Sequence, residues 1–279
     1  MCGEEFVSHG DVEARHFDSC ESLLDDAQHA GSMIAPNGKL TCGDGIDCET
    51  CVPVRRELKQ QYAMRDTHPD VFTHPKADPI TDPTEINWGV RRGVAKRHFW
   101  VVDGRPVNPI GSHLKYGRGQ LRHWGEKANA DAIVFAITEG GRRWVLLIKR
   151  GDGLGWGFPG GGLDDGESAA DGALRELKEE TGLDVRSTDL AGPVIVCGFR
   201  YVHDPREARE AWMVTAPVVI DLGDVGRLPD VAGADDAAQA RWFQADTSYR
   251  VRDAIAALGD VMFPHHQEIL DQAIYGELP

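Results

Sequence analysis

The sequence has no long run of lysine and arginine, and its acidic residues outnumber the basic ones by 45 to 30. A nucleic-acid binder carries a concentrated positive footprint, so that class is set aside and a small-molecule substrate is expected. The net charge of −15 opposes a polyanionic substrate at long range, but a bound divalent cation reverses the field where it sits. Net charge therefore bears on solubility and leaves the chemistry open. Nor is any apolar stretch long enough to span a bilayer. The opening residues, MCGEEFVSHGDVEARHF, lack a basic start followed by an apolar core, which argues against a secretory signal. The expectation is a cytoplasmic protein with no membrane contact, and nothing in the sequence fixes its oligomeric state. Cysteine is scarce over most of the chain: of six, five (Cys2, Cys20, Cys42, Cys48, Cys51) crowd the first fifth and only Cys197 lies beyond. In a reducing compartment that pattern points to metal or redox chemistry in the extension before it points to disulfides.

A length of 279 residues accommodates one good core and a smaller appendage. Residues 1–75 are polar and rich in cysteine and histidine, with apolar periodicity only near Glu21 to Ala30. Thr73 to Pro83 then places three prolines in eleven residues, which disfavours helix and central strand alike. The boundary is drawn there, with an extension of unassigned role over 1–75 and the catalytic domain, including its own N-terminal segment, over 76–279. In the extension, Cys42, Cys48 and Cys51, with Cys20 or His16, are candidate ligands of a structural Zn²⁺, which takes four N/S ligands. Only the Cys48-x-x-Cys51 half has zinc spacing, so inert thiols are the competing reading.

From Asn87 onward short apolar runs alternate with Gly, Pro and Asp. Ile133 to Ile137 and Trp144 to Ile148 flank TEGGRR and predict a buried hairpin. Val194 to Phe199, Trp212 to Ile220 and Ala240 to Phe243 predict further strands. Ser168 to Thr181 is helical, with Ala170, Ala173, Leu174 and Leu177 at spacings of three and four, and Gly182 stops it. A last amphipathic helix is expected from about His265 to Tyr275. The expected class is α/β, a mixed β-sheet sandwiched between helices.

On the predicted helix, Glu176, Glu179 and Glu180 project from one face, because residues three and four apart are neighbours there. Like charges so placed repel, and a hard cation that prefers oxygen ligands, Mg²⁺ or else Mn²⁺, offsets that repulsion. The apolar face packs on the sheet and aims the acids. Arg175 stands beside them as a charge-assisted brace. Upstream, Gly155 to Gly162 reads GWGFPGGG, a strand-to-helix bend that lets backbone approach a ligand. A solvated acidic helix face is the plain alternative for the Glu179-Glu180 pair taken alone.

The full spacing resembles the Nudix box: Gly161, five residues, Glu167, seven residues, Arg175-Glu176-Leu177, one residue, Glu179-Glu180, one residue, Gly182-Leu183. The resemblance implies the Nudix fold and metal-dependent cleavage of a nucleoside-diphosphate compound. It makes Glu176, Glu179 and Glu180 ligands, adds the Gly161 carbonyl to the metal shell, and leaves the base open between Glu180 and a loop outside the box. A second resemblance covers Ile86 to Ile274. Asp103 to Gly111 (DGRPVNPIG), Gly117 to Leu121 (GRGQL), Trp124-Gly125, Asp204-Pro205-Arg206, Ala211-Trp212, Asp235-Asp236-Ala237, Arg241-Trp242 and His266 follow the order seen in mitochondrial ADP-ribose pyrophosphatases and related ADP-ribose-sensing channel domains. It implies hydrolysis of ADP-ribose to AMP and ribose 5-phosphate, with Asp204, Arg206, His266 and Arg118 on the substrate. A guanidinium suits phosphate by its fork of donors, and a carboxylate accepts from vicinal hydroxyls.

Two departures stand out, Gly111-Ser112-His113-Leu114 where the family has Gly-Arg-Thr-Gly, and Phe263 where a tyrosine is expected. Rival readings are a pyrophosphatase for NADH or a nucleotide sugar and a sensor that binds ADP-ribose without cleaving it. The Ser-Gln-Pro-Trp-Pro-Phe-Pro motif of NADH pyrophosphatases does not follow Leu183, and a sensor is expected to carry a damaged box.

Overall fold

The computed structural model describes residues 77–111, 116–187 and 193–278. The zinc candidates Cys42, Cys48 and Cys51, the helix expected near Glu21 and the 1–75 boundary fall outside these residues, as do Ser112 to Leu114. The chain divides into two compact units, whose described parts are 77–126 with 205–212, and 127–204 with 213–278.

The first unit holds α1 (Trp88–Val94) and a two-stranded antiparallel ribbon, β1 (Trp100–Val102) with β2 (Arg105–Val107). Two of its tryptophans are tied down through the indole N–H: Trp88 Nε1 donates to the carbonyls of Pro83 and Gly104, and Trp124 Nε1 to that of Ile80. Phe99 stands edge-on to Trp212 at 4.9 Å. Buried Glu210 accepts from Arg105 at 3.0 and 3.1 Å and from the Gly117 N–H at 2.9 Å.

The second unit carries most of the main sheet and the box. In chain order come β3 (Gly125–Thr138), β4 (Arg142–Arg150), β5 (Trp156–Gly157), β6 (Gly160–Gly162), α2 (Ala169–Thr181), β7 (Val194–Val196), β8 (Arg200–Val202), β9 (Ala211–Gly226), β10 (Ala237–Gln244), α3 (Ser248–Ala256) and α4 (Pro264–Tyr275). β3 and β9 begin in the first unit. The eight strands run β10-β4-β3-β9-β7, with β5 on β4, β6 on β3 and β8 on β9. The β3–β4 hairpin turns through Gly140 and Gly141, both at positive φ.

Alternation along β3 explains the layering, since successive side chains face opposite sides of a sheet. Ala130, Ala132, Val134 and Ala136 join Ala173 and Leu177 of α2 in one core. Ile133 and Phe135 join Val251 and Ile255 of α3 and Ile269, Leu270 and Ala273 of α4 in the other. Both faces of the sheet are therefore covered by helix. The expected hairpin, box helix and last helix are all present. β7 is shorter than its apolar run, ending at Val196, whereas β9 continues past Ile220 to Gly226. The short α1 and α3 have too few turns to show a clear period, and the sequence reading passed over both.

Candidate active site

The site is built where β6 turns into α2. Ser168 caps the helix, its hydroxyl accepting from the Asp171 N–H at 3.1 Å, and Gly182 closes it at φ 74°. Such caps satisfy backbone groups that helix ends otherwise leave without partners. Ala173 and Leu177 anchor the inner face, which fixes the helix on the sheet with Glu180 buried, Glu176 partly buried and Glu179 exposed.

Arg175 is the centre of the charge array. Its Nε donates to Glu167 Oε1 at 2.9 Å and its Nη2 to Glu167 Oε2 at 3.0 Å, a bidentate pair. The same Nη2 reaches the Gly162 carbonyl at 3.0 Å, while Nη1 donates to Glu176 Oε1 at 2.8 Å and Glu179 Oε2 at 3.0 Å. One planar fork thus joins the loop, Glu167 and two of the three helix acids, a task an ammonium cannot match. The contact holds the Glu167 carboxyl below the usual range, with the Arg175 hydrogen bond the main cause, and raises the Arg175 guanidinium.

Glu180 points the other way, into the protein. Its Oε2 accepts from the Gly160 N–H at 2.8 Å. Burial, with the nearby charges of Glu176 and Asp131 adding to it, outweighs that hydrogen bond and Arg150 and pushes the carboxyl up to about 8. Burial also raises Glu176, and Glu179 and Asp235 add to the shift against Arg175. Glu179 is 46% exposed. A Cβ on Gly161 would overlap the Glu176 carboxylate, so only glycine lets this backbone lie against that acid.

The donor set around Gly161 is all oxygen and strongly acidic, which fits a hard divalent cation. Among the described residues no three His, Cys, Asp or Glu side chains converge as a ready-made cage.

Of the residues assigned to substrate by resemblance, Asp204 and His266 belong to the unit that holds these acids, and both are 5% exposed. Arg118 and Arg206 belong to the first unit. Arg118 is 2% exposed, donates to the Asp78 carbonyl at 2.8 Å and lies over the Trp124 ring. Arg206 sits in a turn whose carbonyl accepts from the Gln120 N–H. The sequence reading missed Asp131 and Arg150. Asp131 is buried on β3; burial works to raise its carboxyl, but His266 and the Thr215 hydroxyl at 2.6 Å outweigh it and hold it below the aspartate range. A signal was available: a lone carboxylate in the apolar run from Ala130 to Ile137 is a buried polar group that must have partners. Arg150 lies over the Phe263 ring at 4.6 Å and pairs with Asp152.

The NUDIX domain family matches residues 127–261. Over 203 residues the chain is 33% identical to putative nudix hydrolase 6 of Caenorhabditis elegans, the match covering 65% of this chain and 77% of that protein. It is 29% identical over 172 residues to the mitochondrial ADP-ribose pyrophosphatase of Rattus norvegicus, covering 52% of this chain and 49% of that one. It is also 30% identical over 170 residues to a transient receptor potential cation channel subfamily M member-like 2 of Nematostella vectensis, covering 52% of this chain and 11% of the channel.

Proposed function

This chain belongs to the Nudix family, and from that premise we propose that it hydrolyses the pyrophosphate bond of ADP-ribose to AMP and ribose 5-phosphate with the help of Mg²⁺ or Mn²⁺. The observation that carries the reading is the intact acid array, Glu176, Glu179 and Glu180 on one helix, set against Gly161 and braced by Arg175. A module that only binds has no need of three mutually repelling carboxylates beside a glycine bend. The preference for ADP-ribose over NADH or a nucleotide sugar rests on the likeness to the rat ADP-ribose pyrophosphatase.

A divalent cation supplies positive charge to the phosphoryl oxygens and eases loss of a proton from water. Glu176, Glu179, Glu180 and the Gly161 carbonyl would hold it. Arg175 keeps two of these acids at fixed positions and ties them to the Gly162 carbonyl, so little reorganisation remains when substrate arrives. Glu180, pushed up to about 8 by burial, would have to give up its proton before serving as one of these ligands; the base is then supplied from a loop outside the box. Asp204, buried beside His265 in electrostatic contact, would accept from ribose hydroxyls.

The test is a panel of ADP-ribose, NADH, nucleotide sugars and nucleoside triphosphates offered with Mg²⁺, with products separated by chromatography. AMP and ribose 5-phosphate from ADP-ribose are expected. Cleavage of another anhydride with ADP-ribose left intact ends the substrate assignment and keeps the reaction class, whereas binding of ADP-ribose without cleavage makes the chain a sensor.

A further inference from the structure

We propose that His266 is a positioning residue that fastens the last helix to the glycine strap of the active site, and that it does not touch substrate. The inference rests on the strap and box forming the hydrolytic site. The ring lies inside the protein, 5% exposed, between Phe158 at 5.0 Å and Phe263 at 5.1 Å. Its Nδ1 accepts the Phe158 backbone N–H at 2.8 Å. A nitrogen that accepts carries no proton, so the ring proton sits on Nε2. That nitrogen faces Asp131 Oδ2 at 3.6 Å, the oxygen that also accepts from Thr215. Both ring nitrogens are thus directed at protein groups, Nδ1 at the Phe158 N–H and Nε2 at the Asp131 carboxylate.

What the contact fixes is the segment that shapes the site. Gly157 can lie beside the ring because a Cβ there would meet His266 Nδ1 at 2.7 Å. Next along the chain, the Pro159 carbonyl accepts from the Ala132 N–H at 2.7 Å, and Gly160 pairs with Asp131 across β6 and β3. The Gly160 N–H then holds Glu180, and Gly161 lies against Glu176. His266 therefore grips the strap at Phe158 and, through Asp131, abuts the same strap at Gly160. An imidazole meets both demands because its two nitrogens point in different directions, one accepting the Phe158 N–H and the other facing the Asp131 carboxylate.

The experiment uses the full chain with His266→Leu and His266→Asn. Leucine keeps the apolar volume and removes both polar contacts, whereas the Asn Oδ1 can stand in for Nδ1 at the Phe158 N–H. Three quantities are read: hydrogen exchange at the Phe158 amide, Mn²⁺ affinity by electron paramagnetic resonance, and steady-state hydrolysis of ADP-ribose. For His266→Leu, kcat and Mn²⁺ affinity are expected to fall about 10- to 100-fold, as when a group orienting metal ligands is lost. KM should stay within about threefold, since no substrate contact is removed. Exchange at Phe158 should quicken. His266→Asn should restore the Phe158 protection and most of the kcat.

A rise in KM at constant kcat in both variants overturns the proposal in favour of a direct substrate contact. Unchanged Phe158 exchange in His266→Leu, or an Asn variant no better than the Leu one, overturns it too. If His266→Leu does not fold, the Asn variant decides alone, since loss of its Phe158 protection contradicts the assigned role. Should the wild-type chain leave ADP-ribose intact, the functional reading fails by itself, and exchange with Mn²⁺ affinity still decides the role of His266.

Discussion

On the proposed reading, in which Glu180 is a ligand of the cation, binding of the ion is coupled to proton release in a way that can be measured. Its carboxyl is pushed up to about 8, chiefly by burial, so at pH 7 about 0.9 of the molecules carry the proton and at pH 9 about 0.1, by simple titration. A cation bound by Glu180 requires the ionised form. Binding Mg²⁺ at pH 7 should therefore expel about 0.9 proton from this group and at pH 9 about 0.1. Ionising the acid first costs about 1.4 kcal/mol at pH 7, tenfold in affinity, so apparent affinity should climb about tenfold per pH unit below 7 and level off above 8. Calorimetric titration with Mg²⁺ in two buffers of different ionisation enthalpy gives the proton count directly. In Glu180→Gln the pH-dependent part should vanish, leaving whatever Glu176 contributes. A count that is the same at pH 7 and pH 9, or the same in wild type and Glu180→Gln, would show that Glu180 is not a proton-linked ligand.

Four further outcomes are expected. Glu179→Gln should lower turnover at least about 100-fold through loss of charge stabilisation, and near-normal rates would remove Glu179 from the site. Arg175→Lys keeps the charge but loses the fork that spans Glu167, Glu176 and Glu179, so activity should drop about 10- to 100-fold; a Lys variant equal to wild type in rate and Mn²⁺ affinity would reduce Arg175 to a surface cation. Leu177→Ala opens a hole in the core beneath the acid helix and should cost about 2–5 kcal/mol in denaturant titration, with less than 1 kcal/mol ruling out the packing described. Glu126 in the first unit is raised to about 7 by burial, against the Lys96 and Arg97 backbone N–H groups it accepts from. A carboxyl raised on folding stabilises fully below its ordinary value and loses that contribution as pH climbs through about 7, by up to about 3 kcal/mol; a pH–stability curve that Glu126→Gln leaves unchanged would count against it.

The sequence was most legible where one periodicity serves one purpose. The box helix is amphipathic at the helical period and its cap and stop residues are conventional, so element and boundaries could be read together, whereas Glu180, grouped in the sequence with the exposed acids, is buried against the Gly160 N–H. The hairpin around Gly140 and Gly141 was equally plain. Less could be read where partners are distant in sequence. Nothing local ties His266 to Phe158, 108 residues away, or Asp131 to Thr215, 84 residues away. Likewise, likeness to relatives assigned Arg118 to substrate, but only packing shows its guanidinium enclosed with Trp124 and the Asp78 carbonyl. The helix α3 escaped notice because its apolar positions, Val251 and Ile255, amount to a single stripe of two residues.

The far end of α2 is not left to fray. The Ala232 N–H donates to the Thr181 carbonyl at 3.1 Å and the Ala234 N–H to the Glu180 carbonyl at 3.0 Å, so a remote loop sews up the last turn of the acid-bearing helix. Terminal turns elsewhere loosen readily, and a ligand that needs them must first freeze them. Here two of those terminal carbonyls already have partners, so on the proposed reading an ion held by this turn should meet a smaller disorder-to-order penalty, and shortening the loop between Arg227 and Ala237 should enlarge it.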